Sequence, residues 1–276
     1  MSCSRTRGRK GACGSLLAGV LLAVAAPAGA ECRENWLALG PTIEDSRWEE
    51  TGWQGRTLVK ESGTLRGLFL SLGACCEDFD GLVRVVQASG SRDYAGVTSA
   101  NAPMRTHSDV EQLGVELQGF VPLGTHWSWA GRAALRRTDR EIAGVGRVQG
   151  YPERFFNVEL AGGARYATAP GAALNVSAMA WLGVGPPGRL ELQLPGADVA
   201  ELRLGTSRSL EFELQVQDAL VATGWHWQAR LVYRREEWQV GDAQVITRQG
   251  VPVAAAVQPA TRQSALRLQA ELRFDF

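Results

Sequence analysis

The chain has 276 residues, 45% of them hydrophobic, with 29 basic side chains balancing 29 acidic ones. Taking away the four cations of the first thirty residues leaves 25 basic against 29 acidic, a formal charge of −4. That excludes the concentrated basic footprint nucleic-acid binding needs, so no nucleic-acid partner is expected.

Residues 1–30 read MSCSRTRGRKGACGSLLAGVLLAVAAPAGA. Arg5, Arg7, Arg9 and Lys10 form a basic start, Leu16 to Ala26 an apolar run, and Ala28-Gly29-Ala30 a small-residue end. This order predicts a secretory signal peptide, exported through the Sec pathway and cleaved after Ala30. The apolar run is shorter than the roughly 20 residues of a spanning helix. Cys32 follows a Glu and Cys13 has no apolar run before it, which argues against a lipoprotein signal. Cys32, Cys75 and Cys76 remain after cleavage. An odd number leaves at least one free thiol or an intermolecular bridge. No His or second Cys pair stands at zinc-ligand spacing, so neither a metal nor a cofactor is expected.

Residues 31–47 read as a periplasmic N-terminal segment, with the first strand inside Trp48–Glu61; WLALGPTI (36–43) is the competing first strand. From there alternation dominates, and a period of two marks a strand with one apolar and one polar face. GTLRGLFLSLGA puts Leu68, Leu70 and Leu72 on one face, while DGLVRVVQAS is a strand of ambiguous facing. VEQLGVELQGFV sets Leu113, Val115 and Leu117 against Gln112, Glu116 and Gln118. WSWAGRAALRR stacks Trp127, Trp129, Ala133 and Leu135 opposite Ser128, Arg132 and Arg136. FFNVELAGGARYA sets Val158, Leu160, Ala164 and Tyr166 against Asn157, Glu159 and Arg165. ALNVSAMAWL and SLEFELQVQ continue the pattern, the second with Glu211 and Glu213 on its polar face. WHWQARLVYRR sets Trp225, Trp227, Leu231 and Tyr233 against His226, Arg230 and Arg234. The last strand, 262–276, alternates to its final residue: Leu268, Ala270, Leu272, Phe274 and Phe276 against Arg267, Glu271, Arg273 and Asp275.

The connections alternate as well. ACCEDF, PLGT, ATAPGA and ALVAT are short; GSRDYAGVTSANAPMRTH, TDREIAGVGRVQGYP, GVGPPGRLELQLPGAD and 239–261 are long. Short turns at one end and long loops at the other predict an all-β chain folded as a transmembrane antiparallel up-and-down β-barrel of about ten strands, with eight and twelve as bounds, over 48–276. Trp127, Trp129, Trp225, Trp227 and Tyr166 fall at the short-turn end of the apolar face, as an aromatic girdle does. Strands of around ten residues match a tilted crossing of a hydrocarbon layer. Only a closed sheet satisfies its backbone there, so the last strand must reach the terminus to seal against the first.

At this point the sequence resembles the outer-membrane β-barrel proteins of Gram-negative bacteria. The resemblance implies an outer-membrane location in contact with lipid and lipopolysaccharide. It also implies that Phe276, Phe274, Leu272, Ala270 and Leu268 are the signal read by the barrel-assembly machinery. With short turns on the periplasmic side, Cys32, Cys75 and Cys76 share one oxidising compartment, and a disulfide from Cys32 to one of the pair is an expectation.

The polar face supplies the lumen charges: Arg132, Arg136, Arg165, Arg230, Arg234, Arg267 and Arg273 with Glu116, Glu159, Glu211, Glu213, Glu271 and Asp275. Near balance in a bore little wider than an eight-stranded one predicts an ion-paired, largely plugged lumen. A structural or surface-binding role follows, with an unidentified extracellular ligand on the loops, where Arg92, Asp93, Tyr94 and Gly96 make a polar, flexible stretch. A narrow porin-like channel is the alternative. A loop-borne hydrolase comes third, and no catalytic residue is assigned. His107, Asp93, Asp109, Asp139 and Glu141 do not form the omptin protease motifs. His126-Trp127-Ser128, with Glu141 downstream, resembles the His-x-Ser pair of lipid A deacylases, both side chains facing inward, but it stands at the short-turn end.

Overall fold

The computed structural model describes residues 32–52, 55–76, 79–97, 102–168, 174–221 and 224–276. The expected signal peptide and cleavage site lie outside them. The described residues form fourteen strands: β1 Cys32–Thr51, β2 Thr57–Cys76, β3 Asp80–Val97, β4 Pro103–Pro122, β5 Trp127–Ile142, β6 Tyr151–Ala167, β7 Asn175–Gly185, β8 Arg189–Leu192, β9 Ala200–Arg203, β10 Ser207–Val221, β11 Trp225–Trp238, β12 Gln244–Arg248, β13 Val251–Ala256 and β14 Ala260–Asp275. Ten of them pair in the order β5-β4-β3-β2-β1-β14-β11-β10-β7-β6, and a β5–β6 pairing closes the ring. Every pairing is antiparallel, so this is an up-and-down barrel with β8, β9, β12 and β13 added at the long-loop end.

The seam is where the terminal alternation acts. β14 lies beside β1 from Trp36↔Asp275 to Thr51↔Ala260. The Phe276 amide then donates to the Asn35 carbonyl at 2.8 Å, and the Asn35 amide to the Phe276 carbonyl at 3.1 Å. The chain's last residue therefore leaves no open edge, which a sheet in lipid could not tolerate.

β1 corrects the expected N-terminus. Residues 32–47 are barrel wall rather than a periplasmic segment, and Trp48–Glu61 holds the β1–β2 turn rather than a whole strand. WLALGPTI is thus part of the first strand. Gly40-Pro41 blurs its alternation, but the glycine is required: a Cβ there would stand 1.8 Å from the Ala270 carbonyl oxygen. Leu37, Leu39 and Ile43 face out, while Trp36, Ala38, Thr42 and Glu44 face in.

Leucine, valine and tryptophan cover the outer face from the short-turn end upward, and then charge replaces them. Ile43 gives way to Asp45, Leu68 to Arg66, Leu113 to Glu111, Leu135 to Arg137, Leu210 to Arg208 and Tyr233 to Arg235. On β11 the apolar stretch runs from Trp225 to Tyr233. At about 3.3 Å per residue and a tilt of about 40° it covers roughly 23 Å of height, a hydrocarbon layer's thickness.

The strands do not stop at this boundary. β3 and β4 continue to Val97 and from Pro103, so most of GSRDYAGVTSANAPMRTH is wall, not loop. Arg92 and Tyr94 are buried inside it, correcting the expected flexible stretch. Above the belt the outer face is polar too and the inner face mixes charges with aromatic and aliphatic side chains, which erases the alternation without ending the strand. β8 takes over the pairing of β6 where β7 leaves it, and β9 pairs with β8. Their inward Leu190, Leu192 and Leu202, with Leu204 just past β9, meet Trp48, Phe155, Trp238 and Ile246 in one apolar core across the long-loop mouth.

Candidate functional site

The bore is the chemically dense part of the molecule, and it is layered. At mid-height, β5 and β6 send Arg132, Arg136 and Glu159 toward Glu211 of β10 and Arg234 and Glu236 of β11. Arg132 bonds Glu211 and reaches Glu159 at 2.9 Å. Arg234 bonds Glu159 and Glu236, each at 2.5 Å, and Glu211 at 3.0 Å. Arg136 meets Glu236 at 3.1 Å and Glu116 at 3.7 Å. β5 and β10 stand three strands apart in a ring of ten, so these bonds cross the bore. The void against Glu116, Arg136 and Arg234 holds only about 60 Å³. Guanidinium forks suit this work because each binds two carboxylates at fixed angles. Arg267, on β14, ties itself to Glu44 of β1 at 2.6 Å.

Above the lattice lies a second cluster that the alternation did not give. Arg140 meets Glu50 at 3.0 Å, Glu61 at 3.1 Å and also Glu153. Its guanidinium stands 5.0 Å from the Trp48 ring centre, and Trp48 Nε1 donates to Glu50 at 2.8 Å. Arg92 supports Glu61 from 3.8 Å. The signal existed in the types, since Glu50, Glu61, Arg92 and Arg140 are charges inside extended runs. Their facing was unreadable because neither side of their strands is uniformly apolar at that height.

Below the lattice the bore widens into a cavity of about 720 Å³ at the short-turn end, lined by Arg84, Gln118, Arg165, Gln228, Arg230 and Glu271 among others. Arg230 bonds Glu213 at 3.1 Å, and Trp181 Nε1 donates to the same carboxylate at 2.7 Å. Arg165 pairs with Asp80 at 3.0 Å and lies 4.4 Å from the Phe120 ring centre. Asp275 receives Arg273 at 2.6 Å and His226 at 3.1 Å. Glu271 faces inward and joins no ion pair among the described residues.

The outer-face candidates occupy two levels of the short-turn end. Trp127 is 53% exposed, Trp129 61%, and Tyr166 stacks edge-on against Trp127 at 5.2 Å. Trp225 lies 4.9 Å from Phe274, which stacks on Phe276 at 6.2 Å. Leu268, Ala270 and Leu272 continue outward above them. Trp227 is on the same face. Cys76 is disulfide-bonded, and Cys32 is its register partner across β1 and β2; Cys75 lies beside it at the cavity.

Among the described residues His126 and Ser128 do not form a couple. His126 Nδ1 donates to the Ala167 carbonyl at 3.0 Å, and the ring stacks on Tyr166 at 5.6 Å. It leaves the bore, against expectation, because the strand begins only at Trp127. Ser128 instead accepts from Arg165 at 3.3 Å. His107 and Asp93 are register partners on the outer face, as are Asp109 and Glu141. Among the described residues no group of three or more His, Cys, Asp or Glu could hold a metal ion.

No family model and no curated protein matches the chain. Solved structures do. The outer membrane protease OmpT of Escherichia coli aligns over 91% of this chain and 99% of its own, with a TM-score of 0.54 at 7% identity. The β domain of the Bordetella autotransporter BrkA covers 89% and 100%, with a TM-score of 0.41 at 15% identity. OprG of Pseudomonas aeruginosa covers 89% and 97%, with a TM-score of 0.40 at 11% identity. The chain has the fold of the Gram-negative outer-membrane β-barrels. At 7% identity the likeness to the protease is one of architecture alone, and chemistry has to be argued from side chains.

Proposed function

We propose that the chain is an integral outer-membrane protein with a closed bore, whose role is structural or surface-binding and is carried by the long-loop end. In this reading residues 1–30 are removed on export, the short turns are periplasmic, and Cys32 pairs with Cys76. The terminal Leu268, Ala270, Leu272, Phe274 and Phe276 address the chain to the assembly machinery. Lipid and lipopolysaccharide surround the belt, with Trp127, Trp129, Trp225, Trp227 and Tyr166 at one headgroup layer. Arg208, Arg235 and Arg262 meet the other, sharing the single carboxylate of Glu237 at 3.0, 2.6 and 3.1 Å. Three cations on one anion leave positive charge free for anionic headgroups.

One observation carries the closed bore: Arg132 and Arg234 each bridge carboxylates across it. Their partners lie within hydrogen-bond range, so a solute would have to break several charge-assisted bonds to pass. Reconstituted in planar bilayers, the mature protein is expected to give no single-channel steps. Steady steps would establish the narrow channel instead. Outer-membrane fractionation with faster gel migration before boiling than after is expected; a soluble, heat-insensitive product would reject the membrane reading itself.

A further inference from the structure

Sixteen charged side chains are buried among the described residues, and fourteen of them have an ion-pair partner. The two that do not are Arg84 on β3, 2% exposed, and Glu271 on β14, 8% exposed. Both line the same space, the 720 Å³ cavity below the lattice. Arg84 is held in place without a carboxylate in contact with it. Its Nε donates to Ser71 at 2.9 Å, its guanidinium lies 5.6 Å from the Phe69 ring centre, and its Nη1 bonds nothing. Glu271, Glu116 and Glu213 act on Arg84 only from beyond ion-pair distance, and a buried charge with no contacting partner is costly to keep, a situation the rest of this bore avoids. An unpaired cation and an unpaired anion facing one open cavity are what a ligand with both charges requires.

We propose that this cavity binds a small zwitterionic solute with a peptide-like middle, a short peptide with free ends. Its carboxylate takes the guanidinium of Arg84 where it lines the cavity, and its ammonium takes Glu271. Between them the wall offers Gln118, Gln215 and Gln228, whose amides both donate and accept, as a peptide bond does. The volume suits such a ligand, since small-molecule sites run from about 300 to 1,000 Å³. Entry is from the short-turn end, because the lattice shuts the other side.

Calorimetric titration of the full mature protein in detergent, with glycylglycine and trialanine as probes, tests the assignment. Each is run free, N-acetylated and C-amidated. The free probes are expected to bind, and blocking either end to weaken them by about tenfold or more. Arg84→Gln should abolish the effect of C-amidation while keeping that of N-acetylation, and Glu271→Gln the reverse. Gln217→Trp, at the cavity wall, should block all probes without touching either charge, and covers the case in which the charge variants fail to fold. No binding to the wild type, equal binding of free and blocked probes, or unaltered binding to Gln217→Trp overturns the proposal.

Discussion

Arginine does at the centre of this molecule what aliphatic side chains do in a soluble core. Arg132 is buried with Glu159 and Glu211 on one side and the Trp181 ring, 4.8 Å away, on the other. Arg132→Met keeps the bulk and takes one guanidinium away from two buried carboxylates, leaving Glu211 and Glu159 to Arg234 alone at close range. The expected cost is about 3–5 kcal/mol, the range for breaking a buried pair by one partner. Chemical unfolding in lipid vesicles measures it. Arg189→Ala is the control: half exposed and paired with Glu191 at 3.0 Å, it should change stability by less than about 1 kcal/mol. A second residue works outside the barrel. Asp198 accepts from the Gly250 amide at 3.0 Å, the Thr247 hydroxyl at 2.7 Å and the Gln249 amide at 3.1 Å. Those donors, the Gly250 amide foremost, hold its carboxyl below the usual range. Because the folded value is the lower one, the tie is fully present above the ordinary aspartate pKa and lost as pH falls through the depressed one. The Gly250 amide proton shift, followed by NMR, should move in that acid window in the wild type and stay still in Asp198→Asn.

Strands set which of these residues meet, and their facing is what the sequence made legible within the belt. Leu231 and Tyr233 outward with Arg230 and Arg234 inward could be read directly, because the outer face and the bore impose opposite chemistry on alternate positions. β2 shows the limit: Leu65 and Phe69 are buried inside while Leu68, Leu70 and Leu72 face out, so both sides read apolar. β3 is similar, with Val83 and Val85 outward and Leu82 and Val86 inward. Glycines at 63, 67 and 73 on the inner side of β2 are the compensating signal, small where the Ser91 and Gln87 carbonyls and the Trp36 ring press closest. Above the belt nothing separated the faces, which hid the Arg140 cluster while leaving the mid-bore lattice visible. Facing can be tested on β11, where Leu231→Arg puts a cation mid-belt. The expected cost is about 2–4 kcal/mol by denaturant titration in bilayers, the range for arginine at a barrel's lipid face near the midplane. A neutral result would mean that this face does not look into lipid.

The whole molecule stacks two closures in series, and they differ in kind. The lattice at mid-bore is ionic and built only from barrel strands. The closure at the long-loop mouth is apolar, and β8, β9 and β12 contribute Leu190, Leu202 and Ile246 to it. That upper layer is fastened by loop-to-loop bonds, Asp198 to the β12–β13 turn and Arg248 Nε to the Gly196 carbonyl at 2.6 Å. Neither bond touches a barrel strand, so the hairpin can be lost without opening the ring of ten. Replacing residues 243–257 with a short glycine turn should therefore leave heat-modifiable gel migration intact. It should also leave the bilayer silent, because Arg132, Arg136 and Arg234 still span the bore beneath. Channels appearing on hairpin removal would place the effective seal at the mouth and make the lattice a framework through which ions can pass.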